Sequence, residues 1–214
     1  MTIHAKPLVV VGGIWICVAG LSATVWAGDP VGEIAGLRGT AMVVHQGQTA
    51  PESLSLGASV FQQDMIRTGA ESKVKVRFND ETVSVLGAKG TLKITEFVYD
   101  PEQEERSSVL TVSAGILRTV VNLFVPDSKF EVHSATAVAS MRATEWVAET
   151  FPGTTHLVVM RGAVAVTSTD PTIAGSVILE AGEGTKVDAG AAPAAKGRWG
   201  QNRVRSFEEQ TALD

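Results

Sequence analysis

Cysteine is nearly absent, since the one thiol in 214 residues is Cys17, inside an N-terminal apolar run. A cut after that run would leave no thiol at all. Disulfides, cysteine nucleophiles and the thiolate ligands of structural zinc are then excluded, and stability must come from packing. A basic excess is missing too: 18 lysines and arginines stand against 23 acidic residues, for a formal charge of -5. Phosphate-backbone binding needs a strong positive face, so nucleic acid is not expected as a partner. Beyond His4 the histidines are His45, His133 and His156, with no metal-helix spacing between them. A Gly-x-Ser-x-Gly elbow, a calcium loop and a phosphate-cradling glycine loop are all absent. No metal or cofactor is expected. Between Gly28 and Gly190 no window holds an i, i+3, i+4, i+7 apolar stripe of helical length.

What is present begins with an export signal. One cation, Lys6, precedes an apolar run from Leu8 to Ala23 and then Val25, Trp26 and Ala27, with small residues placed for a signal peptidase. Residues 1–27 read as a signal peptide, with the mature chain starting at Gly28 in the periplasm or outside the cell. The alternative is an uncleaved anchor, because Pro7 to Ala27 is just long enough to span a bilayer that needs about 20 apolar residues. Ile16 before Cys17 argues against a lipid anchor.

The remainder reads as one all-β domain over residues 28–190, an antiparallel β-sandwich or a rolled, solenoid-like domain of many short strands. Glycines number 21 and punctuate stretches rich in Val, Thr, Ile and Leu. In Lys73 to Phe78, strict alternation puts Val74, Val76 and Phe78 on one face and Lys73, Lys75 and Arg77 on the other. Asn79 to Glu81 form a polar turn, and Val83, Val85, Leu92 and Ile94 continue the pattern as an antiparallel meander. Asp100 to Glu105 cannot bury a face and read as a solvated loop. Leu37-Arg38-Gly39 and Met160-Arg161-Gly162, each before an apolar strand, make a weak internal echo that suggests pseudo-symmetry. Residues 191–214 read as an Ala/Gly/Pro linker and a short tail, with a polar helix over Val204 to Leu213 docked through Trp199 or Phe207.

The order of motifs resembles the FecR family over about Ile34 to Val187. Arg38-Gly39, Leu56-Gly57, Asp64 with Ile66, Thr68 and Gly69, and Phe78 with Asn79-Asp80 are similar to the opening of a FecR domain. Ala114-Gly115, Phe130 to Ser134 and Met141-Arg142-Ala143-Thr144-Glu145-Trp146 resemble its later half, and Leu179 to Gly182 complete it. Two positions depart from the family pattern: Ala143 and Glu81 stand where it has glycine. The resemblance implies a non-enzymatic module. FecR-type regulators control a sigma factor through a cytoplasmic segment ahead of a membrane span. About six residues precede the apolar run here, so only the extracytoplasmic half of such a system is expected.

Two surface features are candidates for function. Lys73, Lys75 and Arg77 form a basic row that suits an anionic cell-surface polymer, lipid head group or acidic protein patch, or else protects an exposed sheet edge. The signature residues Asp64, Thr68, Gly69, Gly115, Arg142, Thr144 and Trp146 read as structural, with Arg142 as a buried staple partnered by Asp64 or Glu145. The histidines read as exposed strand residues. Glu131, Glu145 and Glu149 would matter only to a second reading, a carbohydrate-active enzyme needing two carboxyls about 5 to 10 Å apart. A third reading, a membrane-tethered signalling component, follows if residues 1–27 are retained. The leading expectation is a binding, sensing or scaffold module of the cell envelope that engages an envelope protein or surface polymer, with membrane contact only if the signal is uncleaved.

Overall fold

The computed structural model describes residues 28–103, 105–122 and 128–213, without the side chains of Arg142 and Ala143. The signal segment and its cleavage point therefore lie outside the described residues, apart from Gly28 itself. Among the described residues fifteen strands join in one sheet: β1 Gly32–Arg38, β2 Ala41–Val44, β3 Glu52–Ser53, β4 Ser59–Val60, β5 Met65–Thr68, β6 Lys73–Phe78, β7 Val83–Leu86, β8 Thr91–Asp100, β9 Glu105–Val120, β10 Lys129–His133, β11 Ala137–Phe151, β12 Thr154–Ser168, β13 Ser176–Glu180, β14 Glu183–Asp188 and β15 Gly197–Arg198. A helix, α1 Gln201–Thr211, follows.

Three long strands turn this single sheet into two layers. The first half of β9 pairs β8 and β10, and its second half pairs β7 and β11. β11 likewise leaves β10 for β9, and β12 pairs β14 with one half and β13 with the other. Each strand must bend to change neighbours. Gly115 in β9 and Gly162 in β12 do so with φ of 83° and 85°, a region that L side chains enter at a cost. In β11 the bend is a bulge, where Arg142 to Glu145 face only Ala163 to Arg161. Gly39, with φ of 73°, makes the corresponding step from β1 to β2. Gly39 and Gly162 are the glycines of the internal echo, so the echo marks two equivalent corners.

Between the layers lies one core, with Ile34, Ile66, Val74, Val76, Leu92, Ile94, Trp146, Val166 and Leu179 fully buried. The register expected for β6 holds: Val74, Val76 and Phe78 are buried, while Lys73, Lys75 and Arg77 are not. Phe78 stacks on Phe97 at 5.4 Å between centroids. The all-β expectation holds, with two corrections to the strand pairing. The meander breaks after β7, which pairs β9, whereas β8 pairs β5 and β9. β9 and β10 run parallel, inside a fold read as antiparallel. Alternation shows which face of a strand is buried, not the direction of its neighbour.

The outer face of the layer formed by β9, β11 and β12 carries Ile116, Val147 and Val158, which are covered by Phe207 and, less buried, Val204 of α1 and by Trp199 just ahead of the helix. The helix docks through the aromatics that the sequence singles out. It begins three residues earlier than the periodicity suggests. The stretch read as a linker runs along β14: the Ala194 N–H donates to the Lys186 carbonyl at 2.9 Å, and the Thr185 hydroxyl donates to the Ala194 carbonyl at 2.6 Å. Among the described residues no helix is long and apolar enough to cross a membrane.

Candidate binding surface

The basic row does not face open solvent as a unit. α1 has no basic residue in its last turn, so its terminal carbonyls need donors from elsewhere. Lys73 Nζ donates to the carbonyls of Glu209 at 2.6 Å and Ala212 at 3.1 Å, and Lys75 Nζ donates to that of Leu213 at 2.8 Å. Arg77 pairs with Glu33 on the neighbouring β1. The row is therefore engaged within the chain. It is not edge protection, because β6 lies between β1 and β7.

Apart from Asp64, the signature residues gather at two corners. At the first, the Thr68 hydroxyl donates to the Gly87 carbonyl at 2.6 Å and accepts from the Gly90 N–H at 2.8 Å. The Gly69 carbonyl takes part by accepting from the Lys89 N–H at 3.0 Å. Gly115 closes on the same turn, where a Cβ would stand 2.6 Å from the Gly90 Cα. The second corner is the β11 bulge. There the Thr144 hydroxyl donates to the Ala163 carbonyl at 3.1 Å, and the Thr144 carbonyl accepts from the Val121 N–H at 2.9 Å. Trp146 is fully buried beside it. Arg142 lies opposite Ala163, but its side chain falls outside the described residues. The two carboxylates expected to partner it have other neighbours: Asp64 binds His45, and Glu145 binds Arg118.

A buried arginine is present at a position the sequence does not single out. Arg106 and Asp80 meet at 2.6 Å with side chains 1% and 0% exposed. The Thr82 N–H and hydroxyl donate to Asp80 at 3.0 and 2.9 Å, and Arg106 donates to the Thr82 hydroxyl at 2.6 Å. The guanidinium also lies over Phe130, 5.3 Å from the ring centroid. Asp80, read as part of a polar turn, is thus a core residue. Glu81 beside it has φ of 62°, which accounts physically for the family's glycine there.

None of the three histidines is exposed as expected, since His133 and His156 are half-buried. His45 is buried, and its Nδ1 meets Asp64 at 2.7 Å. Burial pushes the Asp64 carboxyl above its ordinary value, against hydrogen bonds from the Phe61 N–H at 2.8 Å and from His45. His133 pairs with Glu131, and His156 stands between Arg203 at 2.8 Å and Glu149 at 3.6 Å. For Glu131 burial acts upward, but His133 and Lys129 outweigh it and hold the carboxyl low. Glu145 and Glu149 are four residues apart on β11, about 13 Å at Cα. All three carboxylates of the enzymatic reading have a basic side chain beside them: Arg118 for Glu145, Lys129 and His133 for Glu131, and His156 for Glu149. Among the described residues no group of three or more His, Cys, Asp or Glu side chains could hold a metal ion.

A pocket of about 530 Å³ opens where the chain enters the domain. Asp29 to Val31 form one wall, Phe61, Gln62 and Asp64 another, and Asn79, Phe97, Tyr99 and Gln46 complete it. Two of its amides are oriented by the backbone. Gln62 Oε1 accepts from the Phe97 N–H at 3.1 Å, and Asn79 Nδ2 donates to the Pro30 carbonyl at 2.7 Å.

Comparison with known proteins agrees with this architecture. Two crystal structures of a candidate anti-sigma factor from Parabacteroides distasonis ATCC 8503 share the fold, with TM-scores of 0.55 and 0.53 at 16% and 17% identity. Each match covers 67% of this chain and 63% of the other, so it spans less than two thirds of those proteins. No curated protein matches the chain. Residues 64–165, which include Thr68, Gly115 and Thr144, match the FecR protein family.

Proposed function

We propose that the chain is a non-enzymatic FecR-domain module of the cell envelope, exported by residues 1–27, that binds or senses another envelope component. One observation carries the reading: the side chains best suited to chemistry are engaged in pairs within the fold, while a pocket is left open. His45 with Asp64, His133 with Glu131, Arg118 with Glu145 and Arg106 with Asp80 are such pairs. The FecR match and the fold shared with an anti-sigma factor support a sensing role.

Mass spectrometry of the natively produced protein tests export, with Gly28 expected at the N-terminus. A chain beginning at Met1 or Thr2 and released only by detergent would favour the tethered signalling component instead. Cross-linking in intact cells, followed by capture of the chain, tests binding. A reproducible envelope partner is expected, and turnover of a polysaccharide by the purified chain would refute the non-enzymatic reading.

A further inference from the structure

The pocket beside Phe61 and Tyr99 has a chemistry that narrows its ligand. Among the described residues its lining holds no lysine, arginine or histidine, so nothing there offsets the desolvation of an anion. Its two carboxylates do not make it a strong cation trap either. Asp64 is engaged by His45 and the Phe61 N–H, and its side chain is 1% exposed. That leaves Asp29 as the open carboxylate.

The amides have fixed polarity. The Phe97 N–H requires an acceptor, so Gln62 turns Oε1 inward and has its NH2 left as a donor. Asn79 directs Nδ2 to the Pro30 carbonyl, which keeps Oδ1 as an acceptor. Phe61, Phe97 and Tyr99 add aromatic surface. The volume of about 530 Å³ lies within the range of small-molecule sites.

We propose that this pocket binds an uncharged saccharide, whose hydroxyls both donate and accept and whose ring C–H faces pack on aromatic rings. The proposal deepens the reading of the chain as a binding module and rests on it. Gln62 supplies a donor, Asn79 an acceptor and Tyr99 the open aromatic wall.

The test is titration of the natively produced protein with maltohexaose, cellohexaose and chitohexaose, and with hexalysine as a cationic probe, followed by the side-chain amide NMR signals of Gln46, Gln62 and Asn79. At least one neutral hexasaccharide should shift these signals saturably. Gln62→Glu keeps the oxygen that accepts from Phe97 and loses the donor, so it should keep the parent melting temperature and weaken binding about tenfold or more. Tyr99→Ala should weaken it similarly. Binding of hexalysine alone, strengthened by Gln62→Glu, would overturn the saccharide assignment while leaving the binding-module reading intact. Silence of the three signals toward every probe would overturn the pocket as a ligand site. Capture of an envelope partner decides the broader reading separately.

Discussion

Replacing Arg106 with methionine keeps much of the side-chain volume and removes the guanidinium from a site that is 1% exposed. Asp80 is then left fully buried with, among the described residues, only the Thr82 N–H and hydroxyl as donors, at 3.0 and 2.9 Å. Breaking a buried ion pair from one side costs about 3 to 5 kcal/mol, because the other charge keeps its desolvation penalty. In a chain of this size that lowers the melting temperature by roughly 10 °C. Asp80→Ala should cost a similar amount, since it takes the carboxylate away from a guanidinium that is 1% exposed. The double variant removes both charges and should cost less than the two singles together, with a coupling of about 2 kcal/mol or more. Urea unfolding of the four proteins measures each corner of the cycle. A single Arg106→Met cost below about 1 kcal/mol, or no coupling, would refute the claim that the pair is dry and mutually dependent.

Lys73→Ala with Lys75→Ala should destabilise the protein by about 1 kcal/mol and speed hydrogen exchange in Gln201–Thr211, because the pair caps the helix; unchanged exchange there would deny the capping role. Glu81→Gly should stabilise by roughly 0.5 to 1 kcal/mol by relieving a positive φ, as read from the denaturation midpoint, and a loss of stability would contradict it. The Asp64 carboxyl is raised in the folded state above its ordinary value of 3.8, so the folded state binds its proton more tightly than the unfolded chain. Between 3.8 and the raised value, stability therefore increases as pH falls. The parent should accordingly gain on Asp64→Asn as pH drops through that window; a parent that loses ground there would reverse the sign.

Legibility in the sequence follows the range of the signal. Strict alternation in Lys73 to Phe78 predicts the β6 register, and the aromatics Trp199 and Phe207 predict the docking of α1, because periodicity and large apolar side chains are properties of a segment. The corner glycines are visible as an echo at Gly39 and Gly162, though only as repetition. Alternation cannot say that β8 abandons β7 or that β9 and β10 run parallel, since pairing partners are chosen by the whole sheet.

The candidate site is less legible. A lysine row facing outward looks the same whether solvent or a helix terminus lies beyond it, and the carbonyls that occupy Lys73 and Lys75 come from residues more than 130 positions away. Asp80 between Asn79 and Glu81 has the composition of a solvated turn, and only the arrival of Arg106 from β9 makes its burial tolerable. The pocket is hidden for the same reason, as Pro30, Gln62, Asn79 and Tyr99 belong to four separate segments. Short-range pattern is enough for the all-β class, the inward faces of the strands and the FecR resemblance, each of which is written in consecutive residues. Which charges are buried, which cap a helix and where a cavity remains were decided only on folding, because they depend on long-range partners that no local pattern specifies.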